Sequence, residues 1–231
     1  MTKENKANRR LIEEWLPIAK LGIEGLRERT PMTPFPAPNR LHVWWARRPL
    51  VASRAAVLAS LLPADADRER FLHVLGIHGN PVEAKRKIDI AIRTGIRVAD
   101  PYGYERAFKF TPNENDKKWL LDLARSNEGS NAVVLDPTAG GGSIPFETMR
   151  LGFNALANDL NPVAAIILGA TAKWPVVHGY DVLSEFEPVA KEFRRRMQDR
   201  LEPLFPASCS EGEIDQTFLF ARTIRCPYCD G

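Results

Sequence analysis

Apolar residues recur along this chain at two spacings. Over the first thirty residues Leu11, Ile12, Trp15, Ile18, Ala19 and Leu26 follow the three-to-four-residue rhythm of helix with one buried side. Pro17 predicts a division into two short helices, because proline suits a first turn and breaks an interior. The stretch "TPMTPFPAPNR" crowds its prolines too closely for helix or central strand, so it reads as an ordered loop delivering "LHVWWARRPL". Pro49 opens an alanine-rich helix to about Leu62, with Leu50, Val57, Leu58 and Leu61 expected in the core. Residues 65–98 again read as helical, with Lys85, Arg86, Lys87, Arg93 and Arg97 on a solvated face. At "RVADPYGYERAFKFTPNEND" the pattern breaks, which predicts a boundary between a helical module, 1–100, and a second unit, 101–183.

Beyond that boundary the rhythm changes. A helix near 114–126 precedes "NAVVLDPTAGGG", in which Val133, Val134 and Leu135 form the short continuous apolar run of a buried parallel strand. A glycine turn, a helix over about 144–151 and a second short strand in "FNALANDLNP" complete one βαβ unit. Another helix begins near Pro162. Residues 184–231 then read as a long helix to about 203, a strand at "TFLFARTIR" and a terminal "CPYCDG". One face of the long helix carries Phe186, Val189, Ala190, Phe193, Met197 and Leu201; the other carries Lys191, Arg194, Arg195 and Arg200.

Composition adds few constraints. A hydrophobic content of 44%, a charged content of 26% and a net charge of +3 suit a globular chain and leave a nucleic-acid partner open. No apolar run approaches the roughly 20 residues that span a bilayer, and the polar N-terminus lacks a secretory-type segment. Three cysteines make no disulfide framework, so a reducing cytoplasm is expected.

The chemistry concentrates in the βαβ unit. A glycine loop between strand and helix lets backbone approach a ligand, with the helix N-terminus aimed at it. An acid at the end of the next strand, here Asp159, suits two ribose hydroxyls, or else serves as a helix cap beside a structural turn. The loop lacks the lysine of a phosphate cradle, and Pro145 stands where a dinucleotide loop has its third glycine. Asp136, at the first strand's end, repels a pyrophosphate but accepts hydrogen bonds from an ammonium group. A ligand with a cationic amino-acid end and a ribose satisfies both acids, and S-adenosylmethionine has both.

"VLDPTAGGGSIPFE" followed by "ANDLNPVA" resembles the D-P-x-x-G-x-G and D-x-N-P motifs of DNA amino-methyltransferases. "NRLHVWWARRPLVASRAAVLASLLP" resembles the domain of unknown function that opens a group of adenine-specific DNA methylases containing a zinc ribbon. The resemblance implies an α/β chain, a Rossmann-like cofactor half preceded by the helical module, acting with S-adenosylmethionine on DNA. It implies that Asp136 meets the cofactor's amino group, Gly140 and Gly142 shape the loop and Asp159 holds the ribose hydroxyls, with Pro137 and Asn161 also among the cofactor-binding residues. "HVWWARRP" is similar to the H-x-x-x-A-(K/R)-x-x-P stretch of several amino-methylases, which implies that His42 and Arg47 close the methionine end. Trp44 and Trp45 are either part of that closure or core aromatics. Asp181 is either a contact to adenine or a helix cap.

Two parts of such an enzyme are missing. The catalytic (D/N/S)-P-P-(Y/F) motif is absent; "DPYGY", Asp100 to Tyr104, lacks the second proline and reads as a turn. Cys226 and Cys229 supply two of the four ligands that a structural zinc site needs, and the resemblance makes them the entrance to the ribbon. The expectation is therefore the N-terminal portion of a methyltransferase, inactive alone and completed by a downstream half. The competing expectation is a non-catalytic nucleic-acid-binding protein, or a relic of a methylase, that uses the basic helices and the WWARR segment.

Overall fold

The computed structural model describes residues 9–30, 35–128, 132–205, 221 and 227–229. It divides into two compact units, 1–179 and 180–231. In the first, α1 (Leu11–Glu14) and α2 (Ile18–Arg29) flank Pro17, as its ring requires. A single turn of helix, α3 (Ala37–Leu41), leads to the WWARRP loop, and Pro49 caps α4 (Leu50–Leu61). Two further helices, α5 (Arg68–Leu75) and α6 (Pro81–Thr94), follow. Each ends on a glycine with positive φ, Gly76 and Gly95, that L side chains rarely adopt. Beyond a short 3-10 turn at Ala107–Lys109 comes α7 (Glu114–Glu128).

The βαβ unit is present. Strands β1 (Val133–Asp136) and β2 (Asn154–Ala157) pair in parallel, Val133 opposite Asn154 and Asp136 opposite Ala157, with α8 (Ser143–Arg150) as the crossover. Helix α9 (Pro162–Leu168) continues through a π turn at Gly169–Lys173 into α10 (Trp174–His178).

Helix α4 organises the core. Nine of its twelve residues are buried, and it packs against α1, α2, α5 and α8. Leu58, Leu62, Phe71 and Leu75 join Leu120 of α7 and Leu151 and Phe153 beside β2 in one apolar cluster. The helical segment and the βαβ unit therefore share a core.

The expected Rossmann-like fold is not what forms. The described residues are mostly helical, and their sheet has two strands. The physical reason lies after β2. The helix expected from Pro162 runs on to His178, and the next element, Asp181–Leu201, is helix again, so no described residue after β2 supplies a third strand. The predicted strand "TFLFARTIR" lies outside the described residues except for Ala221.

A second departure concerns α2. Periodicity predicts Ile18 and Leu26 as inward residues, yet they are 67% and 60% exposed, while Glu24 and Glu28 are buried. Glu24 accepts hydrogen bonds from Arg27 (2.7 Å), the Tyr104 hydroxyl (2.6 Å) and the Ala107 amide (3.2 Å), which offset its desolvation. Helix α6 presents the expected solvated face, with ion pairs Lys85–Asp89 and Lys87–Glu83.

In the second unit, α11 (Asp181–Leu201) is held on its polar side by Glu192 with Arg195 and Arg196, and by Arg195 with Asp199. Phe186, Val189 and Phe193 form an exposed apolar stripe. Asp181 stands in the first turn, without a side-chain capping bond.

Candidate functional site

The WWARRP loop and the glycine loop meet over a cavity of about 280 Å³. His42, Trp44, Arg47 and Arg48 line it from one side, and Asp136, Thr138, Gly140 and Ser143 from the other. The path from sequence to this meeting runs through α4. Glu28, near the end of α2, accepts the Leu50 amide (2.8 Å) and the Val51 amide (3.3 Å), pinning the point where the loop becomes helix. One turn into α4, the Ser53 hydroxyl donates to the Ser143 hydroxyl (3.1 Å) at the start of α8. Arg54, fully buried, meets Glu147 of α8 at 2.6 Å.

Two of the three loop glycines lie directly against a tryptophan. Gly140 and Gly142 have φ of 52° and 76°. A β-carbon on Gly140 would stand 2.6 Å from Trp44 Nε1, and one on Gly141 3.0 Å from Trp44 Cβ. Trp44 is buried, lies across the loop and packs with Ala164 and Ile167 of α9. Of the two expectations for the tryptophans, burial describes Trp44 alone; Trp45 is 74% exposed and stacks on Trp44 with ring centres 4.0 Å apart.

The acids have distinct places. Asp136 lines the cavity, and its Oδ1 accepts the Thr138 amide (3.2 Å), so the carboxylate shapes the turn after Pro137. Asp159 instead borders an open groove of about 780 Å³ between β2 and α9–α10. It accepts the Asn161 amide through Oδ1 and the Gly140 amide through Oδ2, both at 2.8 Å. Those two bonds, Asn161's first, hold its carboxyl below the usual carboxylate range. Asn161 caps α9 by accepting the Val163 amide (2.9 Å). The structure thus gathers His42, Arg47, Asp136 and Gly140 at one cavity, and joins Asp159 to it through the Gly140 amide. Pro137 and Asn161 shape the adjoining turns.

Sequence reasoning missed Glu28. Burial dominates its titration and pushes the carboxyl up to about 7, against the opposing effect of the Leu50 and Val51 amides. No motif marks it, since a glutamate in a helix with exposed neighbours reads as a solvent-facing charge. The cavity lining thus includes two acids, Glu28 and Asp136, and two guanidinium groups, those of Arg47 and Arg48. Neither arginine has an ion-pair partner among the described residues. Such a set accepts an ammonium group at one end and a carboxylate at the other.

"DPYGY" is a turn: Asp100 has φ 34° and accepts the Gly103 amide, while Tyr102 and Tyr104 stack against Arg27 at 3.7 and 4.8 Å. Both rings have a structural use. Cys229 is exposed and free, and Cys226 lies outside the described residues. Among the described residues no three metal-binding side chains cluster.

A family model described as "Protein of unknown function (DUF1156)" matches residues 15–87, from the turn before α2 into α6, and so includes the WWARRP loop and Glu28. No curated protein and no solved structure matches the chain.

Proposed function

We propose that this chain is the cofactor-holding portion of an S-adenosylmethionine-dependent methyltransferase acting on exocyclic amino groups of DNA, adenine before cytosine. One observation carries the reading: two loops, separated in sequence by about ninety residues, converge on a cavity whose charges complement an α-amino acid. Asp136 and Glu28 would receive the ammonium group, and Arg47 the carboxylate, with His42 at the rim. Pro49 comes one residue sooner after Arg47 than in the amino-methylase stretch, so the equivalence of Arg47 rests on its place in the cavity. At about 280 Å³ the cavity is at the small end for a ligand site, the size for one end of the cofactor rather than all of it. Asp159 would act through the Gly140 amide and its remaining lone pairs.

When bound, S-adenosylmethionine supplies a methyl group on a cationic sulfur. The chain's own residues bind, orient and shield its amino-acid end. A (D/N/S)-P-P-(Y/F) motif, absent here, would have to come from a further segment to position the base; lost positioning alone forfeits about 7–11 kcal/mol of barrier reduction. On the same reading Cys226 and Cys229 belong to a zinc ribbon completed elsewhere, and the enzyme works in the cytoplasm.

The test is calorimetric titration of the chain with S-adenosylmethionine, followed by incubation with tritiated cofactor and mixed-sequence DNA. Binding without methyl transfer is expected. Asp136→Ala and Arg47→Ala should each weaken binding by about tenfold or more, the loss of a charge-assisted hydrogen bond. Absence of binding, or affinity indifferent to both substitutions, would overturn the assignment.

A further inference from the structure

The outer surface of the WWARRP loop carries an exposed tryptophan that the cavity beneath it does not explain. Trp45 stands at the corner of a turn closed by the Arg47 amide on the Trp44 carbonyl (3.3 Å). One face of its indole lies on Trp44, with an interplanar angle of 22°, yet the residue is 74% exposed. The opposite face is therefore open to solvent. Trp44 cannot recede, because it rests on Gly140 and Gly141. The result is a rigid, backed aromatic surface, which exposes the most costly side chain to leave in water. The loop that carries it is cationic: residues 35–49 contain Arg40, Arg47 and Arg48 and no acid, the acids Glu28 and Asp136 belonging to the cavity lining. No described residue pairs with any of the three.

We propose that Trp45, with Arg47 and Arg48, forms a binding site for an unstacked nucleobase and its flanking phosphates, so that the chain takes up single-stranded polynucleotide in preference to intact duplex. An open aromatic face stacks any base whose neighbours have let it go, and a base inside a duplex has no free face to offer. The unpaired guanidinium groups answer to phosphate, but both also line the cavity, and Arg47 is shared with the carboxylate reading above. What sets this site apart is the outward face of Trp45, which stacks a base and is not part of the cavity wall. The inference rests on the reading above only in taking nucleic acid as the partner.

Titration of the whole chain with a 12-nucleotide mixed-sequence deoxyoligonucleotide, followed by tryptophan fluorescence, tests it. Quenching is expected, with affinity for the single strand at least tenfold above that for the same sequence as a duplex. Trp45→Ala should lose about 5- to 160-fold in affinity, the range for one stacked base, and Trp45→Phe should retain most of it. Arg48→Gln should reduce the slope of log affinity against log salt by about 0.7. Equal affinity for duplex, an affinity unmoved by Trp45→Ala, or displacement of the oligonucleotide by polyglutamate or anionic vesicles at matched charge would overturn the proposal. Tighter binding of the ribo-oligonucleotide would uphold the site and overturn DNA as the substrate. Loss of cofactor binding with strand binding intact would sink the methyltransferase reading alone.

Discussion

Glu28 concentrates the chemistry of this site in one side chain. It is 5% exposed, joins α2 to the start of α4 and faces the cavity, and its carboxyl titrates near 7 instead of 4.5. The groups around it are Arg54 of α4 and Glu147 of α8, with His42, Arg47, Arg48 and Asp136 across the cavity. Between pH 4.5 and 7 the folded chain keeps a proton here that the unfolded chain releases. Stability from this group is therefore complete below pH 4.5 and is lost as pH rises through about 7, by about 3 kcal/mol in all. Urea unfolding of the wild type and of Glu28→Gln at pH 4.5, 6 and 7.5 measures it. The gap between the two should change by that amount in favour of the variant as pH rises, over a constant offset for the amide bond that glutamine cannot accept. Parallel profiles would show that Glu28 ionises freely. The ionised form also adds negative charge to the cavity wall, so ligands with an ammonium group should gain from it.

At the scale of elements, helix boundaries were legible because their causes are local. Pro17 and Pro49 set the starts of α2 and α4, and the βαβ unit announced itself through Val133–Leu135, the glycines and the spacing to Asp159. The inward face of α2 was not legible, since Glu24 and Glu28 are buried only because partners distant in sequence, Tyr104 and the α4 amides, satisfy them. The sheet was misjudged for the same reason: its extension depends on segments packing together, which periodicity within one segment does not report. Besides the shared core and the Ser53–Ser143 bond, the helical part is joined to the βαβ unit by the Arg54–Glu147 pair, with no exposure on either side chain. Arg150 also reaches Glu147 at 2.6 Å, and Arg54 reaches the Val74 and Leu75 carbonyls at 3.4 and 3.3 Å. Breaking a buried pair from one side strands a charge, whereas removing both leaves less to satisfy. Arg54→Met should cost about 3–5 kcal/mol in chemical unfolding, and adding Glu147→Leu should cost less than the sum of the single changes. Strict additivity would mean that the two side chains do not support one another.

For the first unit as a whole, the sheet poses the remaining physical problem. Parallel strands are normally covered on both faces. Here α8 packs against one face, where Val134 joins the core, but Val133, Leu135 and Leu156 on the other are 51%, 64% and 60% exposed. The far edge of β2 opens into the 780 Å³ groove, whose walls include Leu168, Val176 and Val177. Three contiguous aliphatic side chains beside an apolar groove form a surface of the kind that drives association in water. Among the described residues no strand pairs with the outer edge of either strand, and such an edge carries backbone groups that seek a partner. Purified at rising concentration, the chain should therefore self-associate, as read by sedimentation velocity, and should enhance the fluorescence of an apolar dye. Leu135→Lys with Leu156→Lys should reduce both signals while leaving unfolding near wild type, because these side chains surrender little buried area. If the chain stays monomeric at high concentration and the dye stays dark, the face is already covered within the chain. The double substitution would then destabilise the fold rather than solubilise it, and the same unfolding curves would reveal it.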